Sequence, residues 1–501
     1  MAGRPTSRLG QTWPERDEFR RLAESATLVP VCRQILADLE TPVSAYLKIH
    51  RGRYGFLLES VQGGERWGRY SFLGTEPACV LTVHDGRLRL LTPATGAVEE
   101  RPARDPLGEL RALLGSYRAA AVDGLPRFAG GAVGYLGYEV VRSIERLPAE
   151  NPADLPVPDA RLMLATSLLV FDNVAQTITA VVHVPVGAGV DPDGAYDDGV
   201  RRLDELLGRL GAPAVPPRRT AAEPPAAVCS NVAPERYQEA VRRAKEYIFA
   251  GDVIQVVLSQ RFELPLRAAP VNVYRCLRTL NPSPYMFYLE LDDFQAAGAS
   301  PEVMARVEDG WVTVRPIAGT RPRGTSEVED AALARELLAD PKEIAEHVML
   351  LDLGRNDVGR VAQTGTVEVT EQFVIERYSH VMHLVSNVRG RLAAPYDSFD
   401  AFRATFPAGT LTGAPKIRAM EIIEELEPVR RGFYGGAVGY FGFAGTMDTC
   451  ITIRSVLMHG GRAYVQAGAG IVADSDPESE HRECVNKARA MLQAVRMAEG
   501  L

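Results

Sequence analysis

The chain predicts an α+β fold, built mainly of antiparallel sheets sandwiched by helices, and three observations point there. Strand-like stretches follow one another across tight turns, as antiparallel neighbours do: CVLTVHDGRLRLLT turns at Asp85-Gly86, and residues 161–184 alternate on either side of FDN. Amphipathic helices fall between these groups of strands. No G-x-G-x-x-G follows a strand in the setting a dinucleotide site needs, so a Rossmann sheet is not indicated.

Composition narrows the function classes. A chain of 501 residues can bury a sizeable core, most simply in two domains. The formal charge is -8, with no basic tail or stripe, which argues against nucleic acid as a partner. The six cysteines are sparse and form no C-x-x-C pair, so neither zinc nor a disulfide framework is suggested. The N-terminus lacks an apolar signal region and no apolar run is long enough to cross a bilayer. No membrane is expected, and the cytoplasm is the expected location.

In order along the chain, residues 1–15 read as a disordered N-terminus. Residues 15–26 and 31–39 read as short helices, and YLKI, YGFLLES and RYSFLG as strands. Residues 106–116 are amphipathic helix, followed by the glycine-rich strand GGAVGYLGYE, which 435–443 nearly repeats as GGAVGYFGF. Such a strand marks a bend or the close approach of another backbone. Residues 196–210 are helix. Residues 16–210 thus form an N-terminal region, which a proline- and alanine-rich linker, 211–230, separates from a C-terminal region, 231–501. In that region Pro234 opens a helix that Gly251 ends, and VIQVVLSQRFEL follows as a strand carrying Gln255. NPSPYMFYLEL and VMARV are strands, with a turn at Asp309-Gly310. Helix is expected over 329–339 and from Pro341, strands over 367–374 and 380–389, and helix over 398–405. CITIRSVLMHGGRAYVQAGAGIVA reads as one long hairpin before the last helix.

Two helices carry paired acids. Asp340 caps a helix with Pro341 at its first position, and Glu343 and Glu346 share one face. Asp476 and Pro477 open a second, where Glu480 and Glu483 share a face and Lys487 follows at i+4. A single such pair is most simply a first-turn acid pair favoured by the helix dipole. Two of them can hold one hard dication, and magnesium prefers such oxygen ligands.

Three glycine loops, around Gly319-Thr320, Gly409-Thr410 and Gly468-Ala469-Gly470, can present backbone N–H groups to a carboxylate or phosphate. Arg454, among Ile451, Ile453 and Val456, either binds an anion or lies on an open sheet face. His380 and His383 are each a structural or an acid–base histidine. Glu302, after a Ser-Pro turn, needs a raised pKa to act as an acid near neutrality. Leu57-Leu58-Glu59-Ser60 reads most simply as a strand edge meeting solvent.

LLES, NPSPYM, SPE, RPIAGTRPRG, DPKEIAEHVMLLDLGRND, PAGTLTGAPK and QAGAGIVADSDPESEHRECVNKA together resemble the chorismate-utilising enzymes, in the branch of the anthranilate synthase large subunits. The resemblance runs from residue 57 to 489 and implies that family's fold. It implies Mg2+ as cofactor, with Glu346 and Glu483 as ligands and Glu343 and Glu480 behind them. It implies chorismate as substrate, with Tyr434, Arg454, Gly468, Ala469 and Gly470 on the enolpyruvyl carboxylate and Thr320, Thr410 and Lys487 lining the site. Glu302 resembles the acid that protonates the leaving hydroxyl, and His383 the group that assists the later proton removal. Gln255 stands where water-using relatives carry lysine, and Ala318 where aminodeoxychorismate enzymes often carry a nucleophilic lysine. Glu59, Ser60, Pro284, Tyr285 and Met286 resemble the family's tryptophan inhibitor site, with carboxylate and hydroxyl taking the amino group.

No cysteine sits in a G-x-C-x-G elbow, so ammonia is expected from a separate glutamine amidotransferase small subunit, in a hetero-oligomer. Two readings compete with a tryptophan-pathway synthase: an aminodeoxychorismate synthase component I and a non-catalytic tryptophan sensor.

Overall fold

A computed structural model describes residues 8–61, 68–217, 227–378 and 381–501. His380 lies outside the described residues, as do residues 1–7 of the expected N-terminal tail and 218–226 of the expected linker.

The described strands form two large sheets. The first runs in space through 12–13, 28–36, 177–185, 167–172, 70–75, 54–59, 285–291, 294–300, 455–459, 462–471, 255–265 and 229–230. The second runs through 317–322, 381–391, 311–314, 303–308, 447–451, 437–442, 131–136, 160–165, 79–84, 87–92 and 97–102. Neighbouring strands are antiparallel, as the hairpin turns require. In each sheet a block of strands from before residue 186 joins a block from after residue 228 at one seam, 54–59 against 285–291 in the first and 131–136 against 437–442 in the second.

Alternation along the strands sorts side chains into layers. One apolar cluster, including Phe56, Phe72, Tyr135, Phe287 and Tyr440, lies between the sheets. A second seals the outer face of the first sheet under the helices Pro42–Ile49, Pro192–Gly208, Pro270–Leu280 and Pro477–Ala498. A third does the same for the second sheet under Pro106–Gly115, Pro341–Gly359 and Ser398–Thr405. The architecture is therefore helix, sheet, sheet, helix, an α+β sandwich.

The two glycine-rich repeats are direct neighbours. Strands Gly131–Leu136 and Ala437–Gly442 pair with Gly134 opposite Gly439, so the repeats are related by a local twofold through that pair. A Cβ on Gly134 would lie 2.1 Å from Arg161 O, and one on Gly439 2.1 Å from Asp448 O. Both glycines are there because the next backbone comes too close for a side chain.

Four expectations are corrected. Residues 28–36 are a strand, not a helix over 31–39, because they ladder along 177–185 with Val29 and Val31 buried. YLKI belongs instead to the helix Pro42–Ile49, which Thr41 caps in a reciprocal box with Ser44. The chain is not disordered up to residue 15: Thr12–Trp13 pairs with Cys32 and Arg33, and Trp13 is buried. Finally, two presumed hairpins each change sheet. Residues 160–165 lie in the second sheet and 167–172 in the first, and the same switch separates Met447–Ile451 from the hairpin of Ser455–His459 with Arg462–Ile471.

Candidate active site

The two acid-bearing helices converge from opposite outer layers. Helix Pro341–Gly359 begins where the Asp340 carboxylate accepts from the N–H groups of Lys342 and Glu343, at 3.0 and 3.3 Å. It packs on 317–322 and 381–391 of the second sheet. Helix Pro477–Ala498 begins where Asp476 accepts from Ser479 N–H at 2.9 Å, and packs on 462–471 of the first. Between them, Gln255 at the start of its strand reaches over so that Nε2 lies 3.4 Å from Glu346 Oε1.

The carboxylates crowd one another. Burial first, then the charge of Glu343, with Glu483 also contributing, holds the Glu346 pKa above the ordinary glutamate value. Burial likewise raises Glu480, helped by Glu483. Lys487 relieves part of this: its Nζ lies 2.6 Å from Glu483 Oε1 and donates to Gly468 O at 2.9 Å, tying the helix to the glycine strand. Glu343 is already engaged by Arg321 at 3.0 Å. Among the described residues no three acid, histidine or cysteine side chains form a ready-made cage. The donor set still fits magnesium, which takes one or two carboxylates plus substrate oxygens, and whose charge would relieve this repulsion. Glu346 and Glu483 are the residues that would hold it.

The anion-facing side lies on the first sheet. Gly468, Ala469 and Gly470 pair with Ser259, Leu258 and Val257. Their lack of bulk is required: a Cβ on Gly468 would come within 2.9 Å of Tyr434 Oη, and one on Gly470 within 2.3 Å of Gln255 Nε2. Arg454 is not in a strand, as the sequence suggested, but in the link where the chain changes sheets. Its φ is +51°, a left-handed conformation that costs a non-glycine residue about 1–2 kcal/mol. Among the described residues its guanidinium makes no ion pair, although it feels the charges of Glu483 and Glu302; burial lowers its pKa. A half-buried, strained arginine with no ion pair among the described residues has the chemistry to take an incoming carboxylate.

Opposite stands the acid. Glu302 opens the strand Val303–Glu308 and is only 7% exposed. Burial pushes its pKa up to about 8, against the hydrogen bonds from Thr410 and Ile317 N–H and the charge of Arg454. The Thr410 hydroxyl donates to Glu302 Oε1 at 3.1 Å. A carboxyl that keeps its proton at neutral pH can give it away in the reaction. His383 lies across the ladder from Thr320, and its Nδ1 is 3.1 Å from Gly319 O and 3.0 Å from Thr320 Oγ1. A carbonyl only accepts, so Nδ1 carries the hydrogen and Nε2 keeps its lone pair. Burial lowers the His383 pKa, which favours the neutral ring. Tyr378, which sequence reasoning missed, packs its ring edge-on to His383 at 5.5 Å.

A second cavity, enclosing about 490 Å³ with its open mouth, lies between the sheets beside Leu58, Ser60, Pro284, Tyr285 and Tyr440. Glu59 and Met286, which pair across the ladder, also line it, but their side chains run into the outer layer. The Glu59 carboxylate is held there by Tyr274 Oη and by Arg278 at 3.1 Å. Receipt of an amino group by the Glu59 carboxylate is thus corrected. The acid facing the cavity is Asp448, which accepts from Tyr285 Oη at 2.8 Å and pairs with Arg306 at 2.7 Å. Asp448, Arg306, Arg127 and Cys450 line this cavity from distant parts of the sequence, with no local pattern to announce them.

A family model for chorismate binding enzyme matches residues 56–493. The chain belongs to the chorismate-binding enzyme family. Anthranilate synthase component 1 of Pseudomonas aeruginosa is 52% identical to it over 97% of this chain and 99% of its own length. That of Acetivibrio thermocellus is 45% identical over the same shares. The crystal structure of anthranilate synthase component I from Streptococcus pneumoniae superposes with a TM-score of 0.75 at 37% identity, covering 91% of this chain and 99% of that one. In this family member Ala318 is a buried strand residue opposite Leu384, with no group there to form a covalent bond.

Proposed function

We propose that this chain is an anthranilate synthase component I, converting chorismate and ammonia to anthranilate, pyruvate and water in tryptophan biosynthesis. The observation that carries this is the likeness to components of that name along nearly the whole chain. Magnesium, when bound, supplies a hard positive centre that fixes the ring carboxylate. Arg454 and the backbone N–H groups near Gly468 and Gly470 hold the enolpyruvyl carboxylate, with Tyr434 behind them. Alignment of a dianion in this way supplies much of the rate.

Ammonia adds at C2 while the C4 hydroxyl leaves as water, taking the Glu302 proton. Ammonia brings its own lone pair, so no base is needed at position 255. Gln255 offers a buried carbonyl oxygen without a partner among the described residues, an acceptor for an ammonia N–H. The neutral His383 then takes the C2 proton as pyruvate is eliminated and the ring becomes aromatic. Ammonia comes from glutamine by way of a separate amidotransferase subunit. Tryptophan inhibits from the second cavity, its ammonium toward Asp448 and Tyr285.

The test is the purified chain with chorismate, magnesium and an ammonium salt. Equal amounts of anthranilate and pyruvate are expected, in proportion to added magnesium until saturation. Accumulation of aminodeoxychorismate would move the chain to the related synthase that makes it. No turnover, with tryptophan still bound, would leave only a sensor.

A further inference from the structure

We infer that Ser300 positions the Glu302 acid and couples it to the second cavity, so that a ligand bound there acts on catalysis through this hydroxyl. The inference rests on the proposed roles of Glu302 and of the cavity.

Ser300 ends the strand Phe294–Ser300 and is completely buried. Across the ladder it pairs with Tyr285, a cavity wall. Cys450, another wall, has its thiol beside the Ser300 hydroxyl. Toward the active site, Ser300 Oγ donates to Glu302 O at 3.3 Å and accepts from Glu302 N–H at 3.4 Å. A single side chain therefore touches the cavity wall and the backbone that carries the acid.

The surrounding ladder runs the same way. Glu302 O accepts from Ile451 N–H at 3.1 Å, and Val303 pairs with Cys450. Ala299 N–H donates to Arg454 O at 3.0 Å. The acid and the carboxylate-binding arginine thus hang on backbone segments whose neighbours face the cavity. Two bonds of this length are weak, so small displacements of Tyr285 or Cys450 can redistribute them. A misplacement of about 1 Å at Glu302 can cost on the order of a hundredfold in rate. An effector does this only if it binds the displaced arrangement better.

Glu302 is faced by the Thr410 hydroxyl, Ile317 N–H, Arg454 and Tyr378, while Arg315 and Asp357 line the small cavity beside it. Ser300 changes none of these groups, so its removal reports on the placing of the carboxyl among them.

The experiment uses the full chain and the variants Ser300→Ala and Ser300→Cys, with L-tryptophan binding read by calorimetry and turnover read with chorismate, magnesium and ammonium across pH. For Ser300→Ala the tryptophan Kd is expected within about threefold of wild type while the turnover remaining at saturating tryptophan rises about tenfold, the size of a typical coupling lost. The alkaline limb of kcat is also expected to move. Ser300→Cys keeps the volume and a weak donor and is expected to fall between; it carries the test alone if the alanine variant does not fold. Variants that bind tryptophan, are inhibited like wild type and keep the same alkaline limb would overturn the coupling. Wild type that binds no tryptophan would overturn the effector reading, and the coupling with it. Wild type that is inhibited while the variants are not leaves that reading standing and supports the coupling.

Discussion

The active-site cleft and the second cavity share strands yet treat charge in opposite ways. In the cleft, Arg454 lacks an ion-pair partner among the described residues, Glu302 keeps its proton, and Glu346 is pushed up by burial and then by neighbouring acids. In the cavity, Asp448 already has Tyr285 and Arg306, and Glu59 behind it has Tyr274 and Arg278. The cleft is electrostatically unfinished and gains most from a charged ligand that completes it. The acids at the cavity are already paired, so its ligand gains less from charge and more from shape and a few polar contacts. Catalysis calls for the first arrangement, because preorganised charge is effective where water has been excluded. Regulation is served by the second, which holds its shape without a ligand.

The comparison is broken most sharply by Glu302→Gln, which keeps the size and loses the proton. Turnover should fall by about a hundredfold to ten-thousandfold, the usual worth of a positioned acid, with tryptophan affinity unchanged. Steady-state rates beside calorimetry decide it; near-normal turnover would remove Glu302 from the acid role. Arg454→Lys tests the unpaired cation. Losing the bidentate fork should raise the chorismate KM by about tenfold to a hundredfold, as for a charge-assisted hydrogen bond worth roughly 1.5–3 kcal/mol.

The pH profile sharpens the same contrast. The acid form of Glu302 is the working form, so kcat should fall about tenfold per pH unit above a pKa of about 8. The working form of His383 is neutral and its pKa is lowered, so the acid limb should lie below the ordinary histidine value. Tryptophan binding, which Glu302 reaches only through Ser300, should change far less than kcat across both limbs; parallel titration of the two would deny the division. The smallest effect is expected in the cavity. Ser60→Ala removes one polar contact at its mouth and should weaken tryptophan inhibition about twofold to tenfold, the worth of one neutral hydrogen bond. Inhibition curves that superpose on wild type would take Ser60 out of the site.

What was legible in advance was local. The caps at Asp340 and Asp476, the acid pairs three residues apart and the turns at Asp85-Gly86 and Asp309-Gly310 all follow from chemistry within a few residues. The repeated strand showed its need for glycine, though not that the two copies lie side by side. Residues 28–36 were misread because VPVCRQIL carries apolar residues at helical and strand spacings alike, and only the partner strand 177–185 settles which period is used. The direction of Glu59 was equally hidden, since a strand buried on both faces gives no alternation to read.

Short-range spacing and residue type were enough for the α+β class, the helix starts at Asp340 and Asp476, the hard-donor pairs and the resemblance of the motifs to one enzyme family. Only the folded chain shows that Glu302 is buried enough to stay protonated, that Arg454 is strained and without an ion pair among the described residues, and that the Asp448 carboxylate rather than that of Glu59 faces the second cavity. Burial and electrostatic pairing depend on what the rest of the chain brings alongside, and here that company comes from strands hundreds of residues apart in sequence but adjacent in the two sheets.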